Sequence, residues 1–142
     1  MADWQSILKR MNIALVRLDE LAAELGEEIP EGRLLSHLKI AFEHLDLAAG
    51  VGEWEIPDAT DPLKPLKSSK MRPYLDWATR KLRNLVFRIS HKLGEDACVK
   101  IPRPEKLKIG VEDDPLDFVF IARRIGTIRG ELEMAWLVGI SE

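Results

Sequence analysis

Between Trp4 and Leu25, apolar residues alternate spacings of four and three: Trp4, Leu8, Met11, Leu15, Leu18, Ala22 and Leu25. At about 100° per residue this places all seven on one side of an α-helix; a strand would scatter them over both faces. Ile7, Ala14 and Leu21 widen the stripe. A helix with a single apolar stripe must bury it against another element. Three further segments carry the same period. They are Leu34, Leu38, Ala41, Phe42, Leu45, Ala48 and Ala49; then Leu75, Ala78, Leu82, Leu85, Val86, Ile89 and Leu93; then Phe118, Ile121, Ala122, Ile125, Ile128, Leu132 and Trp136. Four such helices, each needing a partner, predict an all-α four-helix bundle with the stripes as its core.

Boundary residues agree with that reading. Asp3 can cap the first helix and Gly26 can end it. Pro30 stands near the start of the second and Gly50 closes it. For the third, Ser68 or Ser69 is the expected cap, Pro73 falls in the first turn and Gly94 follows the end. The fourth is expected to open on Asp114 as cap, with Pro115 at the first helical position and Asp117 in the first turn, and to end at Gly139. The short link from Gly26 to Pro30 predicts an antiparallel hairpin of the first two helices. The links near 51–69 and 95–113 are long, and Val99/Ile101 with Leu107/Ile109 allow a short hairpin near 98–110. The 142 residues suit one domain, 1–142.

Charge is unevenly distributed along the chain. Residues 1–62 hold 5 Lys/Arg against 13 Asp/Glu, residues 63–108 hold 13 against 4, and residues 109–142 hold 3 against 7. The net charge is only −3, so a basic middle is enclosed by acidic flanks. Such blocks pair internally or form a patch for an anionic partner. Cys98 is the only cysteine, no signal-peptide pattern opens the chain, and no apolar run is long enough to cross a bilayer. The expectation is a cytoplasmic protein with no membrane contact.

Several chemistries are disfavoured by spacing. His37 and His44 share a helical face and flank the apolar stripe, without the inward Glu-x-x-His pairs of di-metal bundles. Glu20, Glu24 and Glu43 fall opposite their stripes and are expected to face solvent rather than to converge on Mg²⁺ as in all-α NTP pyrophosphatases. No glycine-rich phosphate loop occurs, and no histidine neighbours Cys98. "RNLVFRISH" resembles the Arg–His motif of HEPN ribonucleases through Arg83, Asn84 and His91. Seven residues lie between Arg83 and His91, one more than that family's spacing. The resemblance implies an RNase in which His91 is essential, and that reading ranks last. No catalytic set, metal or cofactor is expected.

The feature left over is the third helix, "LDWATRKLRNLVFRISHK". Opposite its core stripe lies an arc of Trp77, Arg80, Asn84, Phe87, Arg88 and His91, bordered by Lys81 and Arg83. Asp76 can pair with Arg80 one turn on; nothing else nearby neutralises the arc. Cations with aromatics suit a protein interface, where Trp and Arg are common anchors, or a nucleic-acid backbone. The fourth helix adds a second candidate surface, because it is apolar nearly all round. Phe120, Gly126, Gly130, Met134 and Val138 lie outside its core stripe, and Gly126 with Gly130 would admit a close helix neighbour. Arg129 falls within the stripe and needs a carboxylate, Glu133 being the local candidate. The expected function is a non-enzymatic binding or assembly protein, contacting a protein partner or a second copy of itself. RNA or DNA is the alternative partner, as for a small subunit of a larger complex.

Overall fold

The structure, a computed structural model, describes residues 3–50, 59, 61–96 and 117–141. Four helices form from the four stripes: α1 (Trp4–Glu24), α2 (Glu31–Ala49), α3 (Ser68–Asp96) and α4 (Phe118–Ile140). Two three-residue strands, β1 (Glu28–Pro30) and β2 (Pro65–Lys67), pair antiparallel with Ile29 opposite Leu66. α1 packs against α2 and α3, and α4 packs against α3 and α2. The strand pair gathers the end of α1 with the starts of α2 and α3, and Gly139 near the end of α4 meets Met71 and Leu66 there. Each helix therefore runs antiparallel to both neighbours, and the predicted bundle is what forms. α2 and α3 run parallel on a diagonal. The end of α2 and the start of α3 therefore lie at opposite ends of the bundle, about 28 Å apart along the 19 residues of α2.

The core is built mainly from the predicted stripes, although Ala22 near the end of α1 and Phe118 at the start of α4 are exposed rather than buried. Met11, Leu18, Leu38, Leu45, Leu82, Ile89, Ile121 and Leu132 are among the residues fully withdrawn from water. Burying one such leucine contributes roughly 1.5–3 kcal/mol. The strand pair adds Ile29 and Leu66, both buried, and closes one end of the bundle. Its sequence signal is a single apolar residue per strand, too short to show a period of two. Glu28 stands opposite Lys67, an opposite-charge pair across the ladder.

Caps match the sequence in part. Asp3 accepts a hydrogen bond from the Ser6 amide at 3.2 Å, and Gly50 adopts the left-handed conformation (φ 68°) that ends α2. Four boundaries differ. α3 starts at Ser68, so Pro73 lies inside the helix rather than at its first turn. Tertiary contacts hold that extra turn: the Ser68 amide donates to Glu27 O at 3.0 Å, and Met71 is fully buried. α3 also continues through Gly94 to Asp96. α4 is capped by Asp117, whose Oδ1 accepts from Val119 N and Phe120 N at 3.0 and 3.5 Å. An aspartate at either 114 or 117 has the chemistry to cap, and the sequence pattern cannot choose between them. Gly139 lies within α4 instead of ending it; a Cβ there would stand 2.6 Å from Met71 Sδ, so this glycine permits close approach of α4 to α3. Asp114, Pro115, Cys98 and the hairpin expected near 98–110 lie outside the described residues.

Candidate functional site

α3 and α4, being antiparallel neighbours, leave a groove between them. Trp77, Lys81, Asn84 and Arg88 line it from α3, and Phe120, Arg124 and Thr127 from α4. Successive α3 residues are four, three and four apart, one continuous helical edge. The floor is Leu85 and Ile128, both buried. Trp77 and Phe120 are half-buried and pack against the core, so the aromatic walls are fixed in place. Lys81 Nζ sits 5.7 Å from the Trp77 ring centroid and the Arg124 guanidinium 5.2 Å from that of Phe120. Each cation is held over a ring, an arrangement worth roughly 0.5–1 kcal/mol at exposed sites. The groove encloses about 90 Å³.

The basic middle of the chain is partly consumed by the fold. Arg72 Nη2 donates to Leu25 O and Gly26 O at 3.1 and 3.2 Å, closing the end of α1. Lys70 Nζ donates to Ser141 O beyond α4 at 3.3 Å. Arg83 turns to α1 and pairs with Asp19 at 2.6 Å. Arg80, Lys81, Arg88 and Arg124 have no acidic partner among the described residues, and the pairing of Asp76 with Arg80 allowed by sequence does not form. The predicted arc is thus divided. Trp77, Lys81, Asn84 and Arg88 face the groove with α4. Phe87 is 62% exposed and stacks on His91 with ring centroids 6.2 Å apart. Arg83 and His91 are separated by about 12 Å along the helix axis, and Arg83 is committed to Asp19.

The second candidate surface is also split. Phe120 and Val138 pack against the core of their own chain. Gly126 and Gly130 are exposed, and among the described residues no other element comes within 4 Å of where a Cβ would stand. Val119, Met134 and Leu137 are exposed as well, Val119 by 57%. At helical spacing these five form one line down the outer side of α4.

Two polar clusters lie elsewhere. Glu24 does not simply face solvent. Its Oε2 accepts from His37 Nε2 and Arg33 Nε, both at 2.8 Å, and its Oε1 from Arg33 Nη2 at 2.6 Å. His37 is only 2% exposed, so this carboxylate closes the α1–α2 hairpin over a buried ring. The hydrogen bonds from Arg33, and secondly from His37, hold the Glu24 carboxyl at about 2 instead of the ordinary 4.5. A lowered folded pKa means a contribution present above the ordinary range and lost as pH falls through it. Glu24→Gln is therefore expected to lower Tm at pH 7, with the gap to the parent closing between about pH 4.5 and 2. Thermal melts across that range check it. His44 Nδ1 accepts from Arg10 Nη1 at 3.1 Å. Among the described residues, no three His, Cys, Asp or Glu side chains converge as a metal would require, and no helix is long and apolar enough to cross a membrane.

The second cluster surrounds Arg129, 7% exposed. Its Nη1 donates to Glu133 Oε1 at 2.5 Å, as the sequence led one to expect. Its Nε lies 3.0 Å from Asp46 Oδ1 on α2, a partner four residues of helix could not reveal. The guanidinium also lies 4.6 Å from the Phe42 ring centroid. Burial pushes the Asp46 carboxyl above its ordinary value, with Arg129 opposing. Together these contacts tie α4 to α2.

No protein-family model, curated protein or solved structure matches the chain.

Proposed function

We propose that this is a non-enzymatic binding or assembly protein whose contact surface is the α3–α4 groove, and that its partner is an acidic protein segment. The observation that carries the reading is the set of unpaired cations on the groove rim. Lys81, Arg88 and Arg124 meet no carboxylate among the described residues, while Arg72, Lys70 and Arg83 are each used by the fold. Unpaired charge around an apolar floor is a surface ready for an anionic partner.

Two features favour protein over nucleic acid. A face of each aromatic wall carries a cation, Lys81 on Trp77 and Arg124 on Phe120, so a base stacking there would have to displace it. The volume of about 90 Å³ is also smaller than the roughly 150 Å³ that admits benzene, which leaves little room for a nucleobase. A labelled glutamate-rich peptide and a single-stranded oligonucleotide of equal charge, followed by fluorescence anisotropy at low salt, test the reading. Binding of the peptide that weakens with Arg88→Glu/Arg124→Glu supports it. Binding of the oligonucleotide alone transfers the groove to the nucleic-acid alternative.

Self-association is the second reading, favoured by the exposed line of Val119, Gly126, Gly130, Met134 and Leu137. It uses a different surface, since two copies of a basic groove repel each other. The expected result is a dimer by sedimentation that Met134→Lys shifts toward monomer. A monomer at high concentration rejects it.

A further inference from the structure

Building on the acidic-partner reading, we infer that the groove recognises a short extended segment with one aliphatic side chain between two acidic residues, of the form Glu-x-Leu-x-Glu. The groove is not uniformly cationic. Its floor, Leu85 and Ile128, is apolar and buried, and its walls are the rings of Trp77 and Phe120. A purely charged ligand would leave this apolar centre uncovered by any side chain. A volume near 90 Å³ suits one leucine-sized group, and fixed aromatic walls are what a buried anchor packs against.

The cations stand at the two ends of that centre. α3 and α4 are antiparallel, with Met71 beside Gly139. Arg124 and Phe120, early in α4, accordingly lie toward Arg88, late in α3. Lys81 lies toward Trp77. Lys81 and Arg88 are about 10 Å apart along the helix axis. In an extended segment, residues four apart share a face and are separated by roughly 13 Å. Two glutamates flanking a central leucine at that spacing reach Lys81 on one side and Arg88 with Arg124 on the other. The side chains between them point away from the groove, so their identity is free.

Peptide variants test this without altering the protein. Three labelled peptides are titrated into the full chain at low ionic strength and read by anisotropy: Glu-Ser-Leu-Ser-Glu flanked by serines, the same peptide with Leu→Ser, and the same with both Glu→Gln. The parent peptide is expected to bind, and Leu→Ser to weaken it about tenfold or more, the effect of withdrawing one leucine side chain from the groove. The double Gln peptide is expected to lose binding. Equal affinity for the Leu and Ser peptides overturns the inference and leaves the acidic-partner reading standing, with charge alone responsible. Equal affinity for the Glu and Gln peptides, or no binding of either acidic peptide, overturns both.

Discussion

Arg129→Ala is expected to lower the stability of the bundle by about 3 kcal/mol at neutral pH, roughly 10 °C in Tm. The guanidinium lies between Asp46 and Glu133, over the face of Phe42. Removing it leaves the Asp46 carboxylate without a cation at the α2–α4 contact. Breaking a buried pair from one side costs about 3–5 kcal/mol; the lower end applies because Glu133 keeps 38% of its side-chain surface in water. The sign of the pH dependence distinguishes this cause from lost packing. Asp46 is already raised above 3.8, by burial first, and loses the opposing pull of Arg129 in the variant. A raised carboxyl destabilises the fold above its pKa and ceases to do so below it. The deficit should therefore shrink as pH falls through the acid range, whereas a cavity would leave it constant. Arg129→Met with Asp46→Leu is expected to recover most of the loss, since apolar replacement removes the stranded charge. Chemical denaturation at several pH values measures all three.

The largest effect on binding is expected from Arg88→Glu/Arg124→Glu, which should weaken an acidic peptide about a hundredfold or more. Neither side chain pairs with an acid among the described residues, and Arg88 is only half-buried. Arg124 gives up a ring contact of roughly 0.5 kcal/mol. The double variant should therefore fold with a Tm close to the parent. Arg83→Glu is the matched control. It carries the same change of charge on the same helix, but Arg83 pairs with Asp19 at 2.6 Å and points away from the groove. It should leave peptide affinity within about threefold, through long-range charge alone. Loss of binding in both variants would mean that net charge, rather than the groove, attracts the peptide.

The fold was legible because its signal lies within single segments. Leu8, Met11, Leu15 and Leu18 report a helix and its buried side with no knowledge of the partner. β1 and β2 were not legible, since their pairing joins Ile29 to Leu66 across thirty-seven positions and each strand has one apolar residue. The candidate site was half legible. A helical wheel shows that Trp77, Lys81, Asn84 and Arg88 share an edge, but it does not show which helix lies beside that edge. The wheel alone places Phe120 on an outer face of α4, whereas it forms the wall opposite α3. The wheel also groups Arg83 with the open cations, although Asp19 on α1 neutralises it. Asp46 beside Arg129 is another such case. In each, the missing term is a contact between helices remote in sequence.

Backbone amide chemical shifts recorded during titration with the Glu-Ser-Leu-Ser-Glu peptide test most directly whether the space between α3 and α4 is the contact surface. The expected result is a set of shifts along Trp77–Arg88 and Phe120–Ile128, absent in Arg88→Glu/Arg124→Glu. Shifts confined to α1 and α2, or none at peptide concentrations that saturate the anisotropy signal, would contradict it.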